Sequence, residues 1–481
     1  MGIPVYAPRV EVKLIKLVKR RDGVASRYSE AKREFDLTGF LGDGGQVRVS
    51  KSLGGGPGAF SVSFADQYAA SFQDSFYAMV EPMDVIEIRG ARQAEKYAGR
   101  TLPLLMRGFV SQVHRSEAMS PEGEPNRAVT ITGQDAGKLW MIHRLLMPAV
   151  YYGGADPFLD LFRFQAATGM DSAYMPVAQA MRQLTERVIN PKVEQLAAYS
   201  ERTLRPFAVE ATVAQGTISP TVIAPFQGPF WQLAELMADR PWNEVFVEDM
   251  GEPGQEVPTL RFRPAPYKTI AGELIMPGAT DPGTVELDAA AVVQLDLNRT
   301  DGRIANFFLV PPGASLLDSQ QLVTISMIME GVPADFSYAN NKPELYGTRV
   351  MQVTTSLLPG GIPQPLNQLA EGQRGPAATT IVEWHRLRIA QLRAMNRDNG
   401  VFEEGSAVVR GSEELKPGRY LRLKRGELVF EGYMDQVAHA IGPLQGWTTT
   451  VQLERVTSFL ERNKMTQPPY LAEGFRGPYD R

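Results

Sequence analysis

The side chains that could do chemistry are few and loosely grouped. Glu403-Glu404 and Glu413-Glu414 are adjacent carboxylates, and a glycosidase needs one acid in an apolar pocket with its partner about 5–9.5 Å away. Both pairs sit in turn-like sequence, where solvated charge is the commoner reading. Four histidines are scattered along the chain, His114, His143, His385 and His439. His114 and His439 fall in similar strands, one residue out of step, and read as packing or hydrogen-bonding residues. Ser29-Glu30-Ala31-Lys32 has the Ser-x-x-Lys spacing of penicillin-binding enzymes, but neither Ser-Asp-Asn nor Lys-Thr-Gly accompanies it. The run Gly54-Gly55-Gly56-Pro57-Gly58 lacks the Gly-Lys-Ser/Thr ending of a phosphate cradle and reads as a turn. There is no cysteine, which removes disulfides, thiol nucleophiles, thiolate metal sites and iron–sulfur clusters. No catalytic residue, cofactor or metal site is expected. Trp140, Trp231, Trp242, Trp384 and Trp447 lie on different elements, so they read as core or interface anchors rather than a sugar-stacking row. Of these, Trp140 and Trp447 are the candidate interface anchors.

Composition narrows the class. A chain of 481 residues exceeds what one core needs and implies two to four domains. With 43% apolar and 22% charged residues, it has the balance of a folded protein. A net charge of −4 excludes a cationic surface over the whole molecule for gripping nucleic acid. No stretch approaches the roughly 20 apolar residues that cross a bilayer. The opening residues lack the basic-then-apolar layout of a secretory signal and the myristoylation pattern. Met1–Lys51 holds eleven basic residues against six acidic ones, including Lys19-Arg20-Arg21. They read as a solvated edge that blocks strand addition, or else as a contact to an acidic subunit or passing DNA.

The elements that must position these residues are mainly β. Val10, Val12 and Leu14 alternate with polar residues, the period of a strand with one buried face. Similar runs follow at 33–41, 46–53, 59–65, 84–89, 104–116 and 127–133, separated by Gly and Pro clusters. From Asp135 the period becomes helical, with helices expected near 139–146, 158–164, 177–196 and 230–238, and a long loop over 211–229. Strands resume at 244–248, 259–263, 291–297 and 304–310. Helices are expected near 318–329 and 379–396, a last β region over 401–455, and an extended or disordered tail beyond Asn463.

One internal repeat is the most informative feature. Val80-Glu81-Pro82-Met83-Asp84-Val85-Ile86-Glu87-Ile88 precedes the strand Arg107–Val113 and the closing strand Val129–Asp135. Leu415-Lys416-Pro417-Gly418-Arg419-Tyr420-Leu421-Arg422-Leu423 precedes Glu431–Val437 and Thr449–Arg455 in the same order. The repeat positions are Pro82, Gly108, Val129, Pro417, Gly432 and Val451. Two like β units in one chain let three chains present six near-equivalent faces.

These strings, together with Trp242–Glu248, Leu260–Pro266 and Gly446–Leu453, resemble the central baseplate hub of contractile-tailed bacteriophages, a family related to the hub half of type VI secretion spikes. The resemblance covers both β-rich regions, more than half the chain. It implies a homotrimeric structural protein of the virion tail, assembled in the host cytoplasm. Such a hub joins a six-fold tail tube to a three-fold central spike around a channel for the tape-measure protein and DNA, and contacts other baseplate proteins. DNA passes without specific binding, and no membrane is spanned. The expected fold is mainly β with α insertions (α+β), comprising two tube-like antiparallel β-barrels or sandwiches. The first spans 1–138. The second is discontinuous, from 242–312 and 401–463, with insertions at 139–241 (helical and loop) and 313–400 (mixed) and a tail at 464–481. The rival functions are a tail-associated peptidoglycan hydrolase and a receptor- or carbohydrate-binding tail module.

Overall fold

The computed structural model describes residues 8–17, 34–42, 44–66, 68–69, 74–119, 123, 125–145, 174–200, 204–218, 226–311, 341–362, 369–425, 428–442 and 446–458. Lys19-Arg20-Arg21, Ser29–Lys32, the expected helices near 158–164 and 318–329 and the tail lie outside the described residues.

The protein is mainly β with helices between the strands. Its principal strands are β1 (Arg9–Ile15), β2 (Glu34–Asp36), β3 (Gln46–Ser52), β4 (Ala59–Ala65), β5 (Val85–Ala91), β6 (Leu104–Met119) and β7 (Pro125–Asp135). After them come β8 (Ala208–Ala211), β9 (Asn243–Met250), β10 (Val257–Pro264), β11 (Thr284–Asp288) and β12 (Val292–Asn298). The last are β13 (Glu403–Arg410), β14 (Tyr420–Arg425), β15 (Leu428–Gly442) and β16 (Gly446–Ser458). The main helices are α1 (Lys138–Ile142), α2 (Val177–Leu184), which runs through a π turn into α3 (Asn190–Ser200), α4 (Phe230–Ala238) and α5 (Glu371–Asn396).

Thirteen strands pair into one sheet, in the order β12-β13-β16-β15-β3-β4-β7-β6-β5-β1-β2, with β14 between β15 and β11 off this path. Alternation explains it. In β3, β4 and β7 the apolar positions Val47, Val49, Phe60, Val62, Phe64, Val129 and Ile131 are buried in one core with Ile86, Ile88 and Met106. In the later strands Ala407, Val409, Leu421, Leu423, Met434, Val437, Val451 and Leu453 make a second core. Period-two alternation puts the polar residues between them on the opposite face.

β9 and β10 form an antiparallel hairpin with β8 parallel to β10, a separate three-stranded sheet and not part of the thirteen. This hairpin packs under both β units. Arg89 holds Glu256 through two hydrogen bonds of 2.7 and 2.9 Å, and Lys51 reaches Asp249 at 3.3 Å, on the first unit's side. On the second unit's side Arg263 donates to the Gly418 carbonyl at 2.6 Å, and the Tyr433 hydroxyl donates to Glu244 at 2.6 Å.

The helices differ from expectation in their ends. α5 begins at Glu371 rather than near Thr379, because Gly372, Gly375 and Pro376, poor helix formers, obscure its first turns. Although Ile381, Trp384, Leu387, Ile389 and Leu392 recur near one face by spacing, Leu387 is 38% exposed, and His385 and Arg388 are buried. The period near 139–146 stops early, as α1 ends at Ile142 and Arg144–Leu145 pairs as a short strand with Gly228–Pro229.

Candidate assembly surface

The two β units share one pairing pattern over five strands, beyond which β1 joins β5 antiparallel and β11 joins β14 parallel. In the first, β3 pairs β4, β4 pairs β7, β7 pairs β6 and β6 pairs β5. In the second, β12 pairs β13, β13 pairs β16, β16 pairs β15 and β15 pairs β14. Register agrees as well. Ile86 faces Gly108 where Leu421 faces Gly432, and Val113 faces Ile131 where Val437 faces Val451. Both long strands carry a register shift at the same place, between Val110 and Gln112 and between Met434 and Gln436. A bulge of this kind bends a strand and increases its twist.

Pro82 and Gly108 occupy the places of Pro417 and Gly432, whereas Val451 stands where Ile131 does, two residues from the place of Val129. After Pro82, Met83 takes φ 74° and donates to the Val110 carbonyl at 2.9 Å, and Val110 donates back to Asp84 at 2.7 Å. After Pro417, Gly418 takes φ 80° and donates to Met434 at 2.8 Å, and Met434 donates back to Arg419 at 2.9 Å. A Cβ on Gly108 would collide with the Gln134 carbonyl and the Phe60 ring, while one on Gly432 would press a Val456 methyl at 2.7 Å. Phe60 lies opposite Gly133 in the first unit; in the second, Gly405 lies opposite Leu453. The bulk has changed strands, and the pair's combined size is kept. Val129 is fully buried in the first core, and Val451 is fully buried in the second.

The units meet in an antiparallel seam where Gln436–Ile441 of β15 pairs with Ser52–Val47 of β3. Trp447 and Ile441 enter the first unit's core. Trp140 and Trp447, the candidate interface anchors, therefore lie inside the chain. Trp140 is fully buried and packs edge-on to Phe207 at 6.1 Å. Trp447 donates to Nδ1 of His439 at 3.2 Å. Because indole N–H only donates, His439 Nδ1 carries no proton, and the Thr449 hydroxyl donates to it as well, at 2.8 Å.

Burial pushes the His439 imidazole down to about 4 from an ordinary 6.5. Folded His439 thus stays neutral where an unfolded chain takes up a proton, so its contribution to stability is complete above pH 6.5 and is lost as pH falls toward 4. Chemical denaturation at pH 7 and pH 5 should show the wild type losing about 2 kcal/mol more than His439→Gln over that interval.

The sheet face opposite the cores is rich in small polar side chains. Rows across it run Thr448, Ala440, Arg48, Ser61, Thr132 and Thr450, Ala438, Ser50, Ala59, Gln134. Ser63 and Thr130 hydrogen-bond across neighbouring strands at 3.0 Å, and Gln436 donates to Ser50 at 3.3 Å. Arg48 and Arg410 are exposed charges on this face. Two edges of the sheet also stand out. Along the second half of β6 (112–119) the edge away from β7, and likewise the edge of β12 away from β13, have no strand partner among the described residues, and Met119 and Val293 are 67% and 63% exposed.

Glu403, Glu404 and Glu413 of the carboxylate pairs are engaged. Glu403 accepts from Arg299 at 3.2 Å, and Glu404 meets Arg303 at 2.6 Å beside a cleft of about 670 Å³ that Glu454 also lines. Glu413 accepts the Arg92 amide at 3.0 Å and the Tyr97 hydroxyl at 3.3 Å. His114 is exposed on β6. Sequence reading missed the buried ion pairs between the hairpin and the units. Although burial pushes Glu248 up, Lys416, Arg419 and Arg261 hold it at about 2. Among the described residues no group of three His, Asp or Glu side chains is arranged to hold a metal, and no helix is long and apolar enough to cross a membrane.

No protein-family model matches the chain, and no curated protein matches its sequence. Solved structures it is similar to include tail and secretion proteins. A tail protein from Neisseria meningitidis aligns at 11% identity and TM-score 0.45, over 93% of this chain and 97% of that one. The 43 kDa tail protein of prophage MuSo2 from Shewanella oneidensis aligns at 11% identity and TM-score 0.42, over 93% and 97%. A component of the E. coli type VI secretion system, described as structurally similar to T4 bacteriophage tail proteins gp27 and gp5, aligns at 9% identity and TM-score 0.38, over 87% and 74%.

Proposed function

We propose that the chain is the central hub of a contractile-tail baseplate, a homotrimer whose two tube-like β units per chain imitate six-fold symmetry. The observation that carries this reading is the doubling of that five-strand pattern, with the two units joined side by side by an antiparallel seam. Three such chains offer six like faces to a six-fold tail tube and a true three-fold axis to a central spike. The domains are taken as 1–138 and as 242–312 with 401–463, the hairpin of β9 and β10 being a sheet of its own beneath the two β units; 139–241 and 313–400 are insertions, and 464–481 is a tail. Pro82 and Gly108, with Pro417 and Gly432, are the scaffold positions that shape both units alike, and Val129 and Val451 fill the two cores.

The Ser, Thr, Ala and Gln face would line the channel for the tape-measure protein and DNA. Each phosphate contact by a Lys or Arg is a salt-sensitive attachment, so a wall mostly of small neutral side chains, with Arg48 and Arg410 as its exposed cations, keeps such attachments few and lets DNA slide. Other baseplate proteins would pack around the insertions. The hub works in the virion after assembly in the host cytoplasm, by adapting symmetry and bearing load, without a cofactor. Sedimentation of the purified protein at micromolar concentration should give a mass three times that of the chain. A monomer or dimer that persists as concentration rises would overturn the reading.

A further inference from the structure

The seam inside the chain describes a seam that the chain does not complete by itself. β15 is shared along one edge: β14 covers Leu428–Tyr433, and β3 covers Gln436–Ile441. β6 holds the same place in the first unit, yet β5 covers only Leu104–Phe109, and no described strand covers the rest of that edge. β12 holds the place of β3 and ends the strand path. A long half-strand with unpaired backbone and an edge strand with the same need are complementary templates for strand addition.

We propose, resting on the hub reading above, that β12 of one copy adds antiparallel to residues 112–119 of β6 in a second copy, in the register β3 already uses against β15. Within the chain His439 faces Val49 and Ala440 faces Arg48. The meanders align Gly432 with Gly108, which carries His439 to Arg115. Leu297 takes the place of Val49, since each faces the β13 or β4 residue opposite Leu453 or Gly133.

Arg115 then faces Leu297, Ser116 faces Asp296 and Glu117 faces Leu295. Beyond Gln294 the register of β12 shifts at Val293, so Met119 and Val293, two strongly exposed apolar side chains, come to the same end of the joint without being directly opposed. No like charges oppose each other. Arg115 and Glu117 already have partners in Asp66 (3.1 Å) and Arg127 (3.2 Å), which leaves their aliphatic stems to cover Leu297 and Leu295. His114, Ser116 and Ala118 continue the small polar face beside Asn298, Asp296 and Gln294. The contact is head-to-tail, since every copy gives β12 at one end and receives at β6.

The absence of cysteine makes the test clean. Directly opposed residues in an antiparallel pair lie about 4.5–5.5 Å apart between Cα atoms, within the span of a disulfide. The double variant Ser116→Cys with Asp296→Cys should, on oxidation, give a covalent species that closes at three chains. Ser116→Cys with Asn298→Cys, shifted by two residues, should cross-link at least tenfold more slowly. Independently, Met119→Lys with Val293→Lys should weaken association at least tenfold, and Met119→Lys with Val293→Glu should restore it. A wild-type trimer whose in-register cysteines do not cross-link, and which ignores the lysine pair, overturns this strand addition and leaves the hub reading standing. A wild-type monomer overturns both. A cross-linked ladder running past three chains supports the pairing and overturns the closed ring.

Discussion

Replacing Arg388 with Met should lower stability by about 3–5 kcal/mol, because it leaves a buried carboxylate without its counter-ion. Arg388 lies between Trp242 and Trp384, at 4.7 and 4.3 Å from their ring centres, and donates to Asp239 at 3.0 Å. The two side chains are 2% and 1% exposed. Asp239 follows α4 in the left-handed region, at φ 53°, where it also accepts from the Thr355 hydroxyl at 2.8 Å and the Ser356 amide at 2.7 Å. One carboxylate thus ties α4, residues 355–356 and α5 together. Burial pushes Asp239 up and Arg388 down to about 10, and each opposes the other's shift. Denaturant midpoints should therefore fall for Arg388→Met and recover in part when Asp239→Asn is added, since the neutral amide needs no counter-ion. Hydrogen exchange should quicken at residues 355–358 before it does in the β sheet. A change under about 1 kcal/mol in the single variant would remove the pair from the account.

Trp447→Ala should cost about 3–5 kcal/mol as well, by a different route. The indole belongs to a strand of the second unit but is buried in the first unit's core, over Gly90 and against Gly411, where any side chain would overlap the ring. Its removal empties the place where the units meet and takes away the N–H that His439 Nδ1 accepts. The loss should make unfolding of the two units separable, with a second transition where the wild type shows one. A single transition at an unchanged midpoint would mean that the seam's backbone pairing, without the tryptophan, couples the units.

Much of the sheet was legible because one buried face imposes a period of two, and β1, β3, β4 and β7 keep it without interruption. The repeat was legible where backbone geometry constrains residue type: Pro82 and Pro417 before a left-handed turn, and Gly108 and Gly432 beneath a close neighbour. The seam left no local signal. Val47, Val49, Val437 and Ile441 alternate like any half-buried strand, and nothing in that alternation says which strand lies alongside. Residues 243–264 read as strands of the second unit, but their partner is β8, and the choice between sheets rests on long-range ion pairs such as Arg89 with Glu256. Trp140 and Trp447 were read as anchors, and their burial inside the chain depends on the same long-range packing. The burial of Arg388 and His385 escaped notice because a helical period marks apolar positions, and a buried cation between two tryptophans breaks that rule.

The β15–β3 seam has a kinetic consequence. A joint made within one polypeptide closes at an effective concentration set by the chain itself, whatever the number of molecules in the cell. In a ring of three chains alternate joints would be immune to dilution while the rest obey mass action, so scarcity of subunits would slow only half of the closures.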